Sequence, residues 1–171
     1  MELARRTGES HVVTFDMGGT STDMSVIVEG RARETSEGRI AGQDSGTPML
    51  EIRTLGAGGG TIAWIGKDGL LKVGPQSAGA DPGPACYGRG GTEPTVTDAN
   101  LVLGALSPES FLGGRMRVDA ALAEDAVRRR VAEPLGLEVV DAAAGMIRIV
   151  NTHMEISLRL ALHERGQDPR K

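Results

Sequence analysis

The octapeptide DMGGTSTD, which runs from Asp16 to Asp23, combines residue types suited to binding a phosphate. The adjacent glycines Gly18 and Gly19 let the backbone approach an anion with no Cβ in the way, and successive N–H groups can surround an oxyanion. Hydroxyl groups that can donate to phosphate oxygens follow on Thr20, Ser21 and Thr22. One interpretation of the sequence is therefore that the two glycines and the three hydroxyl residues contact a phosphate-bearing cofactor.

The two aspartates that bound this octapeptide add a second kind of chemistry. Asp16 ends one strand-like run and Asp23 begins the next, so both carboxylates can flank the mouth of the loop. A carboxylate repels a polyphosphate unless a cation lies between them, which implies Mg²⁺. We predict Asp16 and Asp23 as catalytic carboxylates, with Asp16 as the magnesium ligand.

An ordinary β-turn is the competing interpretation of the same residues. The Gly-Gly pair supplies turn geometry, and Asp and Thr are common turn formers. A two-residue hairpin would need only Gly18 and Gly19, so the additional Thr-Ser-Thr-Asp favours a phosphate loop only modestly. Residue types alone leave both interpretations open.

A second glycine run, GAGGGT at residues 56–61, does not match the common nucleotide signatures. It begins like G-x-G-x-x-G, but Thr61 occupies the sixth position, and the nearby GKD at residues 66–68 lacks the Ser or Thr of a P-loop. The run could wrap a phosphate or ribose through its backbone, or it could be a flexible connector. The predicted cofactor contacts in this run are Gly58, Gly59 and Gly60.

The first half of the chain is typical of strands. Residues 11–16 and 23–29 predict two strands joined by MGGTST, and RARETS could add a third, which would make an antiparallel meander. Residues 51–65 form another extended stretch, and Asp68-Gly69 then predicts a hairpin into LLKVG. Residues 74–94 contain too much Gly and Pro for regular structure.

The second half of the chain is typical of helices. Thr97 and Asp98 can cap a first helix, Asp119 a second, and Asp141 opens a long helix that ends near residue 165. The apolar stripe expected to be buried on this long helix comprises Met146, Val150, Met154, Leu158 and Ala161. The order predicts an α/β fold, with a β-meander followed by glycine-rich loops and C-terminal helices.

The amino-acid composition indicates a folded domain and excludes several classes of binding partner. The 171 residues suffice for one folded domain, and 39% are hydrophobic but only 2% aromatic, so the core must be aliphatic. The net charge is −4 with no long basic run, which argues against nucleic acid or an anionic membrane as a partner. No stretch approaches the ~20 apolar residues of a membrane span, and the single Cys86 favours a reducing compartment. We therefore expect a cytoplasmic protein.

Four segments of the chain occur in an order typical of one protein family. They are DMGGTSTD, LGAGGGTIAWI, VGPQSAGADPGPACYGRGGTEPTVTDANLVLG and ERGQDPR. Together they resemble the hydantoinase A/5-oxoprolinase family, which includes N-methylhydantoinases and acetone carboxylase subunits. The match runs from about His11 to Arg170. We therefore divide the chain into an N-terminal remnant, residues 1–10, and an incomplete hydantoinase A-like domain, residues 11–171.

The resemblance implies an actin-like ATPase (ribonuclease H-like) architecture, in which two lobes close on ATP and each supplies a phosphate-binding β-hairpin. Asp16 to Asp23 would be the hairpin of the second lobe, and the chain would be a fragment of that lobe. The family uses ATP to activate a cyclic amide carbonyl as an O-phosphorylated imidate, which makes hydrolytic ring opening feasible. The implied cofactors are ATP and Mg²⁺.

The same resemblance implies binding partners. The expected ligands are ATP and a cyclic amide substrate, and the expected protein partners are a missing N-terminal lobe and a hydantoinase B-like subunit. The chain alone is expected to be inactive, because it carries one half of the phosphate clamp. The alternatives are a non-catalytic nucleotide-binding or interaction module and an acetone carboxylase-type subunit.

Overall fold

The computed structural model of the chain describes residues 2–36, 38–40 and 43–170. The chain divides into two compact units. Unit 1 comprises Met1–Asp16, Thr22–Leu55 and Ser157–Lys171, and unit 2 comprises Met17–Ser21 and Gly56–Ile156. Met1 and Lys171, at the ends of the two ranges predicted from the sequence, lie outside the described residues.

The predicted α/β class is confirmed, with antiparallel strand pairs. The strands are β1 Val12–Met17, β2 Thr22–Val28, β3 Arg31–Ala32, β4 Glu34–Thr35, β5 Gly38–Ile40, β6 Gln43–Ser45, β7 Met49–Leu50, β8 Arg53–Leu55, β9 Thr61–Ile65 and β10 Leu71–Ser77. The α-helices are α1 Glu2–Thr7, α2 Val96–Val102, α3 Ala120–Val127, α4 Glu133–Leu135 and α5 Val139–His163. Short 3₁₀ turns occur at Ala85–Tyr87 and Phe111–Gly114, and a π-helical segment, Arg128–Ala132, joins α3 to α4. None of the helices within the described residues is long and apolar enough to cross a membrane.

The predicted meander forms the first sheet of unit 1. In this sheet β2 is hydrogen-bonded to β1 and pairs antiparallel with both β3 and β8. Glu29 and Gly30 connect β2 to β3 with φ values of 50° and 72°, the left-handed conformation that a tight two-residue hairpin turn requires. Met24 and Val26 of β2 are buried, whereas β1 is exposed along most of its length.

Two predicted strands are divided in the structure. Within RARETS, β3 pairs with β2, but β4 pairs with β7 in a separate ladder. The predicted stretch at 51–65 contains both β8 and β9, which the glycine run separates. The residue types at these positions favour an extended backbone, but which strand each one pairs with depends on residues distant in sequence.

The β9–β10 hairpin is the sheet of unit 2 that carries the predicted Asp68-Gly69 turn. Leu71 pairs with Ile65, and Gly69 adopts a φ of 75° in the turn, which confirms the predicted hairpin. A backbone with this positive φ strains any residue that has a Cβ, so the turn favours glycine.

The single tryptophan, Trp64, lies in β9. Its Nε1 donates a hydrogen bond of 2.8 Å to the carbonyl oxygen of Gly74, and the Nζ of Lys72 lies 5.4 Å from the centroid of the indole ring. The indole is therefore fixed against β10 by one hydrogen bond and one cation–π contact.

Helix α2 begins earlier than the sequence predicts. Thr95, and not Thr97, is its N-cap: the Thr95 side chain accepts from the amide of Asp98, and the Asp98 carboxylate accepts from the amide of Thr95. This T-x-x-D spacing is that of a capping box. Thr97 lies in the first turn of the helix, where its side chain can bond elsewhere.

The two later helices follow the sequence closely. Asp119 is the N-cap of α3, as predicted, and accepts from two amides of the first turn. Helix α5 begins at Val139, two residues before the predicted Asp141. Its predicted stripe is confirmed except for Leu158, which is half-buried; the buried members are Met146, Val150, Met154 and Ala161.

Candidate functional site

Residues 18–21 connect β1 to β2, at the position predicted for MGGTST, and we call them the glycine turn. The amide of Gly18 donates to the carbonyl oxygen of Ser21 at 2.8 Å, which closes the turn. The carbonyl oxygens of its two glycines accept hydrogen bonds of 3.0 and 2.6 Å from the amides of Gly59 and Gly60. The carbonyl side of the turn is therefore held by the protein itself.

The amide side of the glycine turn is open. Gly19 and Thr20 are exposed, and their amides donate to no acceptor within the part of the chain that the structure describes. A Cβ built on Gly19 would meet no heavy atom within 4 Å. The turn therefore offers two consecutive exposed backbone donors, and the side-chain position of Gly19 beside them is open.

Gly58, Gly59 and Gly60, which we call the glycine segment, use all three of their amides within the protein. The amide of Gly58 donates to the Oγ1 of Thr61 at 2.7 Å, and the other two donate to the glycine turn. These contacts hold the turn. Direct binding of a cofactor by the three glycines, which the sequence predicts, stays a prediction.

The close approach of the glycine segment to the glycine turn excludes side chains. A Cβ on Gly58 would lie 2.7 Å from the oxygen of Gly18 and 2.8 Å from both the carbonyl carbon of Gly19 and the amide nitrogen of Ser21. A Cβ on Gly60 would lie 3.0 Å from the oxygen of Gly19. Glycine is needed in the segment because two backbones touch there.

Two threonines that were not among the predicted site residues hold the other side of the glycine segment. The amide and the Oγ1 of Thr97 both donate to the carbonyl oxygen of Gly59, at 2.8 and 2.9 Å. The amide of Thr61 donates to the carbonyl oxygen of Gly58 at 3.1 Å. One sequence signal could have indicated Thr97: if Thr95 is the helix cap, the hydroxyl of Thr97 is available to another acceptor.

Asp98 fastens the glycine- and proline-rich loop to α2. Its buried carboxylate accepts from the amides of Ala85, Cys86 and Thr95 at 3.2, 2.8 and 2.8 Å, and from the hydroxyl of Thr95 at 2.7 Å. Burial, and then the negative charge of Asp98, raise the pKa of the Cys86 thiol far above its usual range. One carboxylate thus orders much of the loop that the sequence predicts as irregular.

Asp16 and Asp23 belong to unit 1, on neighbouring strands, and both are exposed. The amide of Ser25 donates to the Oγ1 of Thr14 at 3.1 Å, which indicates that these two residues face each other. The hydrogen bond between Gly18 and Ser21 gives the same register. Two residues nearer the glycine turn on each strand, Asp16 therefore comes opposite Asp23, and opposed residues project from the same face of a sheet. The carboxylate of Asp23 also accepts a hydrogen bond of 2.6 Å from the hydroxyl of Thr54.

The remaining hydroxyl residues have unequal environments. Thr22 begins β2 and is fully buried, whereas Thr20 is exposed and Ser21 is half-buried. Among the described residues no three His, Cys, Asp or Glu side chains form a cluster that could hold a metal ion. Contact of these three hydroxyls with a phosphate stays a prediction.

Comparison with known proteins identifies the family. Residues 1–171 match the family model described as hydantoinase/oxoprolinase. The chain therefore belongs to the hydantoinase/oxoprolinase family, and the resemblance inferred from the four sequence segments is confirmed.

Similar proteins include enzymes with two kinds of activity. Caprolactamase subunit alpha of Pseudomonas jessenii is 49% identical over 168 residues, which are 98% of this chain and 24% of that protein. The crystal structure of the ATP-dependent caprolactamase from the same organism matches with a TM-score of 0.86 and 49% identity, and a nucleotide-free structure of acetone carboxylase matches with 0.87 and 32%. Each match covers 98% of this chain and 24% of the solved chain. The chain thus spans about a quarter of the length of these relatives.

Proposed function

We propose that this chain is the part of an ATP-dependent enzyme that binds the phosphates of ATP through the glycine turn. The observation that carries the proposal is the pair of exposed amides on Gly19 and Thr20, which donate to no acceptor among the described residues. In a trans peptide unit the carbonyl and the N–H point in opposite directions. Because the glycine segment binds the carbonyls of Gly18 and Gly19, the next two N–H groups point away from it.

Consecutive outward amides suit a phosphate. Each N–H carries a partial positive charge, and two neighbouring N–H groups can contact one phosphate group. Preorganised donors of this kind position a phosphoryl group and stabilise its charge without reorganisation during the reaction. The hydroxyls of Thr20, Ser21 and Thr22 complete the proposed set of donors.

The residues of unit 1 fit a role in holding Mg²⁺. Mg²⁺ is usually bound through one or two protein carboxylates, together with waters and substrate phosphates. Asp16 and Asp23 offer two exposed, opposed carboxylates, and Asp23 is already a hydrogen-bond acceptor for Thr54. We therefore assign Asp16 as the ligand and both aspartates as the proposed catalytic carboxylates. The ion, when bound, would neutralise phosphate charge.

The proposed reaction of the complete protein is ATP-dependent opening of a cyclic amide. The similarity to a caprolactamase, an enzyme of ATP-dependent type, supports this choice. Transfer of the γ-phosphoryl group of ATP to the amide oxygen would release ADP and make the amide carbon electrophilic. Water would add to this carbon, the ring C–N bond would break, and hydrolysis of the resulting acyl phosphate would release phosphate and the free carboxylate. The contribution of this chain is to hold the polyphosphate in position. An actin-like architecture, with a second hairpin from another lobe, is part of the proposal.

Carboxylation is the second candidate function, because the structure of acetone carboxylase matches this chain with a TM-score of 0.87, similar to the 0.86 of caprolactamase. Both candidates give the glycine turn the same task of binding the phosphates of ATP. They differ in the substrate that the rest of the protein would bind.

Titration of the ¹⁵N-labelled 171-residue chain with Mg-ATP, followed by NMR, tests the proposal. We expect the amide signals of Gly19 and Thr20 to move, with a dissociation constant of about 1 mM, or about −4 kcal/mol, since one hairpin alone contacts the phosphates. Gly19→Val should abolish the response, because it places a branched side chain beside both amides, where a phosphate must approach. Gly46 is an exposed glycine that also has no heavy atom within 4 Å of a built Cβ, so Gly46→Val is the matched control.

The proposed magnesium ligand has a test of its own. Asp16→Asn keeps the shape of the side chain and removes its charge, so it should weaken binding of Mg-ATP and strengthen binding of magnesium-free ATP, which the carboxylate repels. Equal binding of Mg-ATP by the wild-type chain and by Asp16→Asn would remove Asp16 from the site. A Gly19→Val chain that still binds Mg-ATP would make the glycine turn a structural hairpin.

A further inference from the structure

Two chains of hydrogen-bonded peptide units end at the amides of Gly19 and Thr20. In the first relay, Thr97 donates to the carbonyl of Gly59, and the amide of the next residue, Gly60, donates to the carbonyl of Gly19. The peptide unit that contains this last carbonyl also contains the N–H of Thr20. The first relay therefore runs from Thr97 through two peptide units to the amide of Thr20.

A second relay of hydrogen-bonded peptide units ends at the amide of Gly19. The amide of Ala78 donates to the carbonyl of Gly60 at 2.8 Å, and the amide of Thr61 donates to the carbonyl of Gly58 at 3.1 Å. The amide of Gly59 then donates to the carbonyl of Gly18, at 3.0 Å. The peptide unit of that carbonyl ends in the N–H of Gly19.

We infer that Thr97 is a positioning residue for phosphate binding, because it orients and polarises the amide of Thr20 through the first relay. This inference rests on the proposed function of the glycine turn. Peptide dipoles that are hydrogen-bonded in series strengthen one another. Each link also fixes the rotation of the next peptide plane, so Thr97 sets the direction of a donor that it never touches.

The geometry at Thr97 favours this role over that of a simple packing residue. Its hydroxyl and its amide donate to the same oxygen, that of Gly59, so the side chain reinforces a bond that the backbone already makes. The hydroxyl lies 2.8 Å from the position of a Cβ on Gly59, so its placement depends on a glycine there. Thr97 is 7% exposed, and valine can replace it with the same shape.

The test compares Thr97→Val with Thr97→Ser in the ¹⁵N-labelled 171-residue chain. Valine removes the hydroxyl donor and serine keeps it. In the absence of ligand, Thr97→Val should shift the amide proton signal of Thr20 and leave that of Gly19 unmoved, because Gly19 ends the other relay. Thr97→Ser should restore the wild-type signal. Binding of Mg-ATP should weaken roughly three- to tenfold in the valine variant, as expected for the loss of one hydrogen bond, and return with serine.

Loss of packing alone would give a different pattern. Equal shifts of the Gly19 and Thr20 signals, no shift of either, or failure of serine to restore the Thr20 signal would overturn the inference. Thr97→Ala removes the same donor with less bulk and replaces the valine variant in the comparison if that variant does not fold. If Mg-ATP does not move the signals of Gly19 and Thr20 in the wild-type chain, the proposed function is refuted. The ligand-free spectra of the variants still decide whether Thr97 orients the amide of Thr20.

Discussion

The glycine turn and the glycine segment contact each other in unit 2, yet their glycines meet opposite requirements. A Cβ on Gly19 would have no heavy atom within 4 Å, whereas a Cβ on Gly58 would collide with three backbone atoms. In the turn the glycine carbonyls are bound, and the amide of Gly19 has no acceptor among the described residues. In the segment all three amides are bound.

The two regions therefore require glycine for two different reasons. In the turn, the absence of a side chain leaves room for a ligand, so a substitution should remove binding and keep stability. In the segment, it leaves room for the chain's own backbone, so a substitution should lower stability first. The following variants test whether the two regions separate in this way.

The largest expected effect is the loss of the carboxylate that fastens the loop beside the segment. Asp98→Ala would leave the amides of Ala85, Cys86 and Thr95 without their acceptor, all in a buried place. We expect the free energy of unfolding to fall by about 3–5 kcal/mol, because buried donors without partners are costly. Urea unfolding measures the change. Asp98→Asn keeps one acceptor oxygen and should lose less; a loss below about 1 kcal/mol in Asp98→Ala would show that these hydrogen bonds contribute little.

The second variant tests the close approach itself. Gly58→Ala should lower the free energy of unfolding by about 1–3 kcal/mol, the usual range for an overpacked site. Gly56→Ala is the control in the same run, since a Cβ there meets nothing within 4 Å, and its effect should stay within about 0.5 kcal/mol. Similar urea midpoints for the two variants would contradict the requirement for glycine at position 58.

A third effect depends on pH and comes from Cys86, whose amide Asp98 holds. Burial raises the pKa of this thiol, whereas the unfolded thiol titrates near its ordinary value of about 8.5. Above about pH 8.5 the unfolded chain loses a proton that the folded chain keeps, so the free energy of unfolding falls as pH rises. We expect this group to contribute a slope approaching 1.4 kcal/mol per pH unit, about one pKa unit of free energy. Urea unfolding at several alkaline pH values should show a shallower slope for Cys86→Ala; identical slopes would exclude this thiol as the cause.

The smallest effect on stability should come from the turn. Gly19→Val, which is expected to abolish Mg-ATP binding, should change the free energy of unfolding by less than about 0.5 kcal/mol, because the site is exposed and uncrowded. Gly46→Val provides the reference. A loss of stability comparable with that of Gly58→Ala would mean that both glycine regions serve packing, and the comparison between them would fail.

Local patterns predicted much of this structure. The glycine turn, the β9–β10 hairpin and the Asp119 cap all depend on residues within a few positions of one another, and each lies where the sequence placed it. The cap of α2 was predicted at Thr97 and Asp98, although the T-x-x-D spacing that fits a capping box begins at Thr95. That error concerned the choice between two threonines that are two positions apart.

The hydrogen-bond partners of the glycines could not be predicted from local sequence patterns. Nothing in GAGGGT states that Gly59 will donate to Gly18 or that Thr97 will donate to Gly59, because those partners are far apart in sequence. The same holds for β4, whose partner β7 follows a long intervening segment. The glycines indicated where the backbone could approach another group closely. Only the fold shows that this group is the backbone of the glycine turn.

Trp64, which is held against β10, is an intrinsic fluorescence probe of the β9–β10 hairpin. It is the single tryptophan of the chain, its strand follows the glycine segment directly, and its indole N–H is bonded to Gly74. Indole emission depends on hydration and on nearby charge, and here the adjacent charge is the ammonium group of Lys72. Intrinsic fluorescence can therefore follow rearrangement of the β9–β10 hairpin in real time, without a label and with one emitter to assign.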